Sequence, residues 1–380
     1  MTRPHCPIAL LSLALAAAGC SQPRIVAPSA SSAPIEAAPR EAAPPSGAPL
    51  TPSTSAGPAP TRSPPSSAAA AGSEPSSPRL AETLARAVEW AATLDVHPVR
   101  VRRELGMKGV KHFVEYLDLL FLARRQRGSA DLAAAAQRHA EAALRAIEKP
   151  DYHDLALADE RRFREDSMSY LRACWLAEQF GVGTTRYRAE IEKVLPRIYA
   201  HLPGRGVDQQ MGFAVLFRQL GFAAPQSLGA VYAQSNVARH QPLSYFLVSG
   251  DRPYDLTHEI FAITERGAAA FRVPLREDED YARETVRSLL ELSLDEGNLD
   301  LTGELLVNLC ELGESRSQLA VRAIDTIYGA QNRDGSFGVY DPEQAKVLKG
   351  NPRYDARIGG NLHTTMVCCW GLFEGERSGF

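Results

Sequence analysis

From residue 79 onward, polar and apolar positions recur at helical spacing, and no stretch alternates in the manner of a strand. The pattern predicts helices over 79–94, 108–126, 129–148, 160–180, 184–202, 206–220, 254–267, 278–295, 299–313, 316–331 and 361–373. A further helix is expected between 226 and 248. Two kinds alternate. The segments 129–148, 184–202, 278–295 and 316–331 are amphipathic, rich in Arg, Glu and Ala, and Ser129 is placed to cap the first of them. By contrast, Phe113 to Phe121, Met211 to Leu220, Leu256 to Ile263, Leu299 to Cys310 and Met366 to Phe373 are apolar nearly all round. A helix apolar on every side has to be buried on every side.

One-sided helices wrapped around all-round apolar ones make two concentric layers. The expected fold is therefore all-α, an (α/α)6 toroid of six inner and six outer helices, with inner helices about 45 to 60 residues apart as one hairpin each requires. A right-handed helical solenoid carries the same local signals and is the alternative.

Composition divides the chain into three parts: 1–19, 20–78 and 79–380. Arg3 supplies a positive start, and Ile8 to Ala18 is an uncharged apolar run. That run is shorter than the roughly 20 residues that span a bilayer, so it reads as an export signal. It closes in Leu15-Ala16-Ala17-Ala18-Gly19-Cys20, which resembles the lipobox of bacterial lipoproteins. The resemblance implies cleavage before Cys20, acylation of its thiol and a lipid bilayer as partner. Ser21, where an aspartate would retain the protein at the inner membrane, points to the outer membrane of the cell envelope. Residues 22–78 are nearly all Pro, Ala and Ser, and no Phe, Trp or Tyr precedes Trp90. Such a segment buries too little apolar area to offset its ordering entropy and reads as a stiffened, disordered stalk.

The 42 Lys and Arg against 45 Asp and Glu leave a net charge of −3. No basic stripe interleaved with aromatics appears, so nucleic acid is not an expected partner. Cys174, Cys310, Cys368 and Cys369 lie among apolar neighbours without CxxC spacing and read as small buried hydrophobes.

Gln331-Asn332-Arg333-Asp334-Gly335-Ser336-Phe337-Gly338 resembles the QW repeat of terpene cyclase and prenyltransferase toroids, with Phe337 in place of the tryptophan. The resemblance implies a glutamine closing an outer helix and an aromatic ring packed beneath the turn. It does not carry the chemistry over, because DDxxD, DxDD and the zinc set of protein prenyltransferases are all missing. A wider resemblance joins Tyr254 to Phe261, Asp300 to Leu306 and His363 to Thr365, which are similar to recurring blocks of an uncharacterised bacterial helical family.

In such a toroid the inner helices run parallel, so their amino ends meet at one mouth, with unpaired N–H groups and partial positive charge. Lys111 and His112, Asp208 and Gln209, Asp255 and His258, Asp300 and Glu304, and Asn361 and His363 mark those ends. Asp300, Glu304, Asn308 and Glu311 share one helix face, which is either a luminal stripe or a solvated one. His258, Glu304 and His363 are the candidate catalytic residues, and Asp255, Asp208, Asp300 and Asn308 the candidate ligand-binding residues. His258, Glu304 and His363 would also be the ligands of a divalent metal such as zinc, if one is held. His258-Glu259 opens like HExxH, but Ala262 stands where the second histidine belongs, and that motif is rejected. GxSxG, SxxK, GxxxxGK and GxGxxG are absent. Two functions remain open. One is a binding module that takes a polar ligand or protein partner in the pocket. The other is a hydrolase or lyase acting on a glycan or similar polar substrate through paired carboxylates.

Overall fold

The structure, a computed structural model, describes residues 77–149, 151–338 and 341–377. The export signal, Cys20 and nearly all of the stalk lie outside the described residues. Among the described residues the chain is all-helical, with fifteen α-helices and no strand. They are α1 (Pro78–Ala91), α2 (Pro98–Leu105), α3 (Gly109–Arg125), α4 (Ala130–Ala146), α5 (Glu160–Gln179), α6 (Thr185–His201), α7 (Val207–Leu220), α8 (Leu228–Tyr232), α9 (Leu243–Leu247), α10 (Arg252–Ile263), α11 (Arg276–Glu296), α12 (Leu299–Glu311), α13 (Gln318–Gly329), α14 (Pro342–Leu348) and α15 (Leu362–Arg377). The single helix expected between 226 and 248 is instead two short ones, α8 and α9. Pro225 precedes the segment, Pro242 caps the start of α9, and a tight turn with His240 at φ 46° breaks the helix between them. The short α2 and α14, each begun by a proline, were not anticipated.

Burial follows the two kinds of pattern. Every residue of α12 from Leu301 to Cys310 is buried, as is nearly all of α15 from Leu362 to Gly375. The amphipathic helices bury one stripe each: Leu132, Ala136, Ala140 and Leu144 on α4, and Ala320, Ala323, Ile324 and Ile327 on α13. The greasy helices pack in succession, α3 on α5, α5 on α7, α7 on α10, α10 on α12, α12 on α15, and α15 back on α3. Around them α4 lies on α3, α6 on α5, α8 on α7, α11 on α12, and α13 on α12 and α15, while α1 lies on α15 and α3. Helix α5 takes an inner place that its charged first half does not announce.

Side-chain pairs fix the direction of these helices. Between α3 and α5, Asp118 meets Arg172, Phe121 meets Trp175, and Arg124 reaches the Gln179 carbonyl. Between α10 and α12, Tyr254 meets Asp300, Thr257 meets Glu304 and Thr264 meets Glu311. In each seam partners advance together along both helices, which only parallel neighbours allow. Helices α12 and α15 approach closely: a Cβ on Gly303 would stand 2.9 Å from the Val367 carbonyl carbon. The turn after α13 is tied inward: Gln331 donates to the carbonyls of Thr83 and Gly335, and Phe337 is fully buried. Cys174, Cys310, Cys368 and Cys369 are buried free thiols.

Candidate functional site

The amino ends of α3, α7, α10, α12 and α15 carry polar side chains that reach one another. Local sequence sets each end. Gly206 starts α7 with Asp208 in its first turn, and Pro253 opens α10 with Asp255 in its first turn. The Asn298 side chain accepts from the Leu301 N–H to cap α12. Helix α15 is entered through a π-helical turn, Arg357–Asn361, built on Gly359 and Gly360, and His363 follows at once.

Glu304 is the centre of the group. Its Oε1 lies 3.2 Å from Nε2 of His363, and its Oε2 accepts from the Thr257 hydroxyl at 2.5 Å and lies 3.8 Å from Nε2 of His258. On its other side, the His363 ring has Nδ1 3.1 Å from Oε1 of Glu115. Glu115 is held in turn by Nδ1 of His112 at 2.9 Å and Nζ of Lys111 at 3.4 Å. Nδ1 of His258 lies 3.6 Å from Asp208. The result is a continuous chain, His112–Glu115–His363–Glu304–His258–Asp208, that crosses α3, α15, α12, α10 and α7. Asp300 flanks it, 3.6 Å from His363, and accepts from the hydroxyls of Tyr254 at 2.9 Å and Thr364 at 2.7 Å.

These contacts set the protonation states. Burial opposes charge on His363, but Asp300, Glu115 and Glu304 outweigh it and hold its pKa well above the usual imidazole value. The same contest raises His258 through Asp208 and Glu304. Burial pushes the Glu115 and Glu304 carboxyls up, yet Lys111 and His112 for the first, and His363 and His258 for the second, bring both below the usual carboxylate range. Asp255 differs: burial, with Asp208 adding to it, pushes it up to about 6. The carboxylates of Glu115 and Glu304 are buried, while the side chain of His258 is 47% exposed and that of His363 is 24% exposed. The imidazoles of His258 and His363, unlike that of buried His112, are the part of this chain that faces water.

Of the residues expected from the sequence, His258, Glu304, His363, Asp208 and Asp300 come together, and Asp255 lies beside them. Asn308 does not join them. It is fully buried, and its side-chain amide donates to the Thr257 carbonyl, so it supports the residue that supports Glu304. The face shared by Asp300, Glu304, Asn308 and Glu311 is not solvated, because it runs along the α10–α12 seam. A metal held by His258, Glu304 and His363 does not find its geometry: among the described residues no group of three or more His, Cys, Asp and Glu side chains is disposed to hold a metal ion. Both nitrogens of His363, and both of His258, point at carboxylates in ion-pair fashion instead. Sequence reasoning missed Glu115, Tyr254, Thr257 and Thr364. For Glu115 a signal existed, since a lone carboxylate between Phe113-Val114 and Tyr116-Leu117 has no place in a greasy helix unless it is paired.

A family model described as a domain of unknown function, DUF6895, matches residues 78–370. The chain belongs to that family. No curated protein and no solved structure matches it. In this DUF6895 domain the match begins where α1 does, with Ser77 capping the helix through its hydroxyl, and it spans every member of the polar chain.

The opposite ends of the same helices are built differently. There Arg124 donates to the Gln179 carbonyl, Arg188 to the Leu220 carbonyl and Arg377 to the Gly267 carbonyl. Cations on the last carbonyls are what the helix dipole favours. Glu311 accepts from the Thr264 hydroxyl, and burial, with Glu374 nearby, pushes its carboxyl up to about 8.

Proposed function

We propose that this DUF6895 chain is an exported lipoprotein, anchored through Cys20 and placed at the outer membrane. Its helical domain is an (α/α)6 toroid that binds a polar ligand or partner at the mouth formed by the amino ends of the inner helices. The closed succession of parallel packing pairs supports the toroid. One observation carries the binding reading. Two partly exposed imidazoles sit wedged between buried carboxylates in an otherwise apolar interior, an arrangement that structural packing alone does not call for. Burying ionised groups is costly unless they are paired, and a stability-driven core would fill these positions with Leu and Phe.

The test has two arms. The full chain, purified in detergent, is screened by thermal shift against neutral sugars, amines and short peptides. A hit is expected to bind about tenfold more weakly in His258→Asn and Glu304→Gln, the loss of one charge-assisted hydrogen bond. Hits that bind equally well to both variants would remove the site from the mouth. In cells, Cys20→Ser is expected to move the protein from the membrane to the soluble fraction, and retention in the membrane would end the anchoring reading.

Asp255 favours a second reading. A carboxyl pushed up to about 6 beside a second carboxylate, Asp208, is poised as a general acid near neutral pH, as hydrolysis or elimination on a glycan requires. Under this reading Asp255→Asn abolishes turnover of a bound glycan while leaving its affinity within about twofold. A variant that binds and turns over normally would reject it.

A further inference from the structure

The loop after α10 holds three consecutive residues in the left-handed region: Glu265 at φ 52°, Arg266 at φ 59° and Gly267 at φ 78°. Only the last is a glycine, and two adjacent side-chain-bearing residues in that region are held against their preference. The surroundings impose it. Arg218 pairs with Glu265 at 2.8 Å, Arg377 donates to the Gly267 carbonyl at 3.2 Å, and the Arg266 N–H reaches back to the Phe261 carbonyl at 2.7 Å. This geometry turns the Arg266 side chain back among the greasy helices. Its guanidinium stacks 4.7 Å over the Trp370 ring and stops 3.7 Å short of Asp118.

Asp118 satisfies this arginine only in part. Nε and Nη2 of Arg172 donate to Oδ1 of Asp118, at 3.2 and 2.6 Å, and Arg172 lies over Trp175, while Arg266 faces Oδ2 as an ion pair at 3.7 Å, beyond hydrogen-bond length. Two guanidiniums thus share one carboxylate, and the guanidinium of Arg266 makes no hydrogen bond to any described residue. It is one-third exposed. Asp118 is three residues beyond Glu115 on α3, so this pair lies about one helical turn, roughly 5 Å, from the imidazole chain.

We infer that Arg266, with Arg172 behind it, is an anion-binding position within the same lumen, and that the ligand of this lumen carries a carboxylate. The inference rests on the reading of the lumen as a binding site and adds the ligand's charge class. A planar guanidinium fork matches a carboxylate in two parallel hydrogen bonds. Trp370 and Phe261, 4% and 5% exposed, pack against the guanidinium and shield one side of it from water, which strengthens its pairing with an anion. A doubly charged phosphate fits less well, because Asp118 and Glu311 stand close by and repel it more.

The experiment titrates the full-length protein with glucuronate, acetate, glucose and inorganic phosphate, followed by tryptophan fluorescence and by Tm. Saturable binding of glucuronate is expected, weakened about tenfold or more in Arg266→Gln, the loss of one charged hydrogen bond pair. Arg266→Gly distinguishes a ligand-binding arginine from a structural one. It is expected to lose glucuronate while raising Tm by roughly 2 °C, because glycine adopts the left-handed region freely. A fall in Tm would show that Arg266 is there to hold the fold, and would overturn the inference. So would a carboxylate affinity unchanged in Arg266→Gln, the absence of carboxylate binding, or tighter binding of phosphate. If carboxylates fail while glucose or an amine binds in a Glu304-dependent way, only the charge class falls. If nothing binds, the lumen reading falls with it.

Discussion

Glu304 and Glu311 lie two turns apart on α12, face the same neighbouring helix, and accept from threonine hydroxyls of the same seam. Their ionisation differs in sign. Glu304 is held below the usual carboxylate range, because two imidazoles face it; Glu311 is pushed up to about 8, because burial, with Glu374 added, outweighs the Thr264 hydroxyl, Arg266 and Arg377. The amino ends of these helices thus gather charges that complete one another, whereas the other ends use arginines mainly to satisfy carbonyls. Acids and bases occur at both ends, so it is the partners, more than position along the helix dipole, that decide which carboxylates are ionised.

The contrast can be broken by substitution. The largest effect is expected for Glu304→Ala, which strands His258 and His363 and should cost about 3–5 kcal/mol in urea unfolding. A loss below about 1 kcal/mol would show that the polar chain is loosely held. Next is Gly303→Ala, which forces α12 from the Val367 backbone and should cost about 2–3 kcal/mol while displacing Glu304 from His363. The separation is readable as a change in the histidine ring proton shifts; unchanged stability would mean that the seam has room. The pH dependence separates the two glutamates. A group with a raised folded pKa contributes fully below its unfolded value and loses that contribution as pH rises through the folded one. Glu311→Gln should therefore gain stability relative to the parent between pH 5 and 9. Glu304 has the opposite sign, so the deficit of Glu304→Gln should shrink as pH falls below about 4.5. Parallel pH profiles for the parent and Glu311→Gln would sink the assignment. The smallest effect is expected for Arg124→Ala, about 1 kcal/mol, for one carbonyl cap and a hydrogen bond to Gln137.

The helices were legible because burial on one side or on all sides leaves its period in the residues themselves. The positions of His258, Glu304 and His363 were legible for a related reason, since ionisable groups in apolar helices demand partners. Helix α5 was not placed, because Arg161, Arg162 and Glu165 disguise a helix whose second half, Tyr170 to Ala177, is buried. Thr257 and Thr364 were invisible, since a helical threonine also satisfies itself on a preceding carbonyl. Arg266 fell inside the helix expected over 254–267, whereas α10 ends at Ile263. Its role depends on a backbone conformation that neither pattern nor propensity encodes, and Asn308 was misjudged because sharing a face with Glu304 does not set its depth.

The first and last helices of the domain are joined at one spot: the amide and hydroxyl of Ser77 both donate to Glu376. Glu376 is thirteen residues along α15 from His363, about 20 Å of helix. Ser77, where the described domain begins, is therefore held at the end of α15 remote from the imidazoles. A fold whose two terminal helices pin each other resists fraying from either end, and does so without drawing on the polar chain.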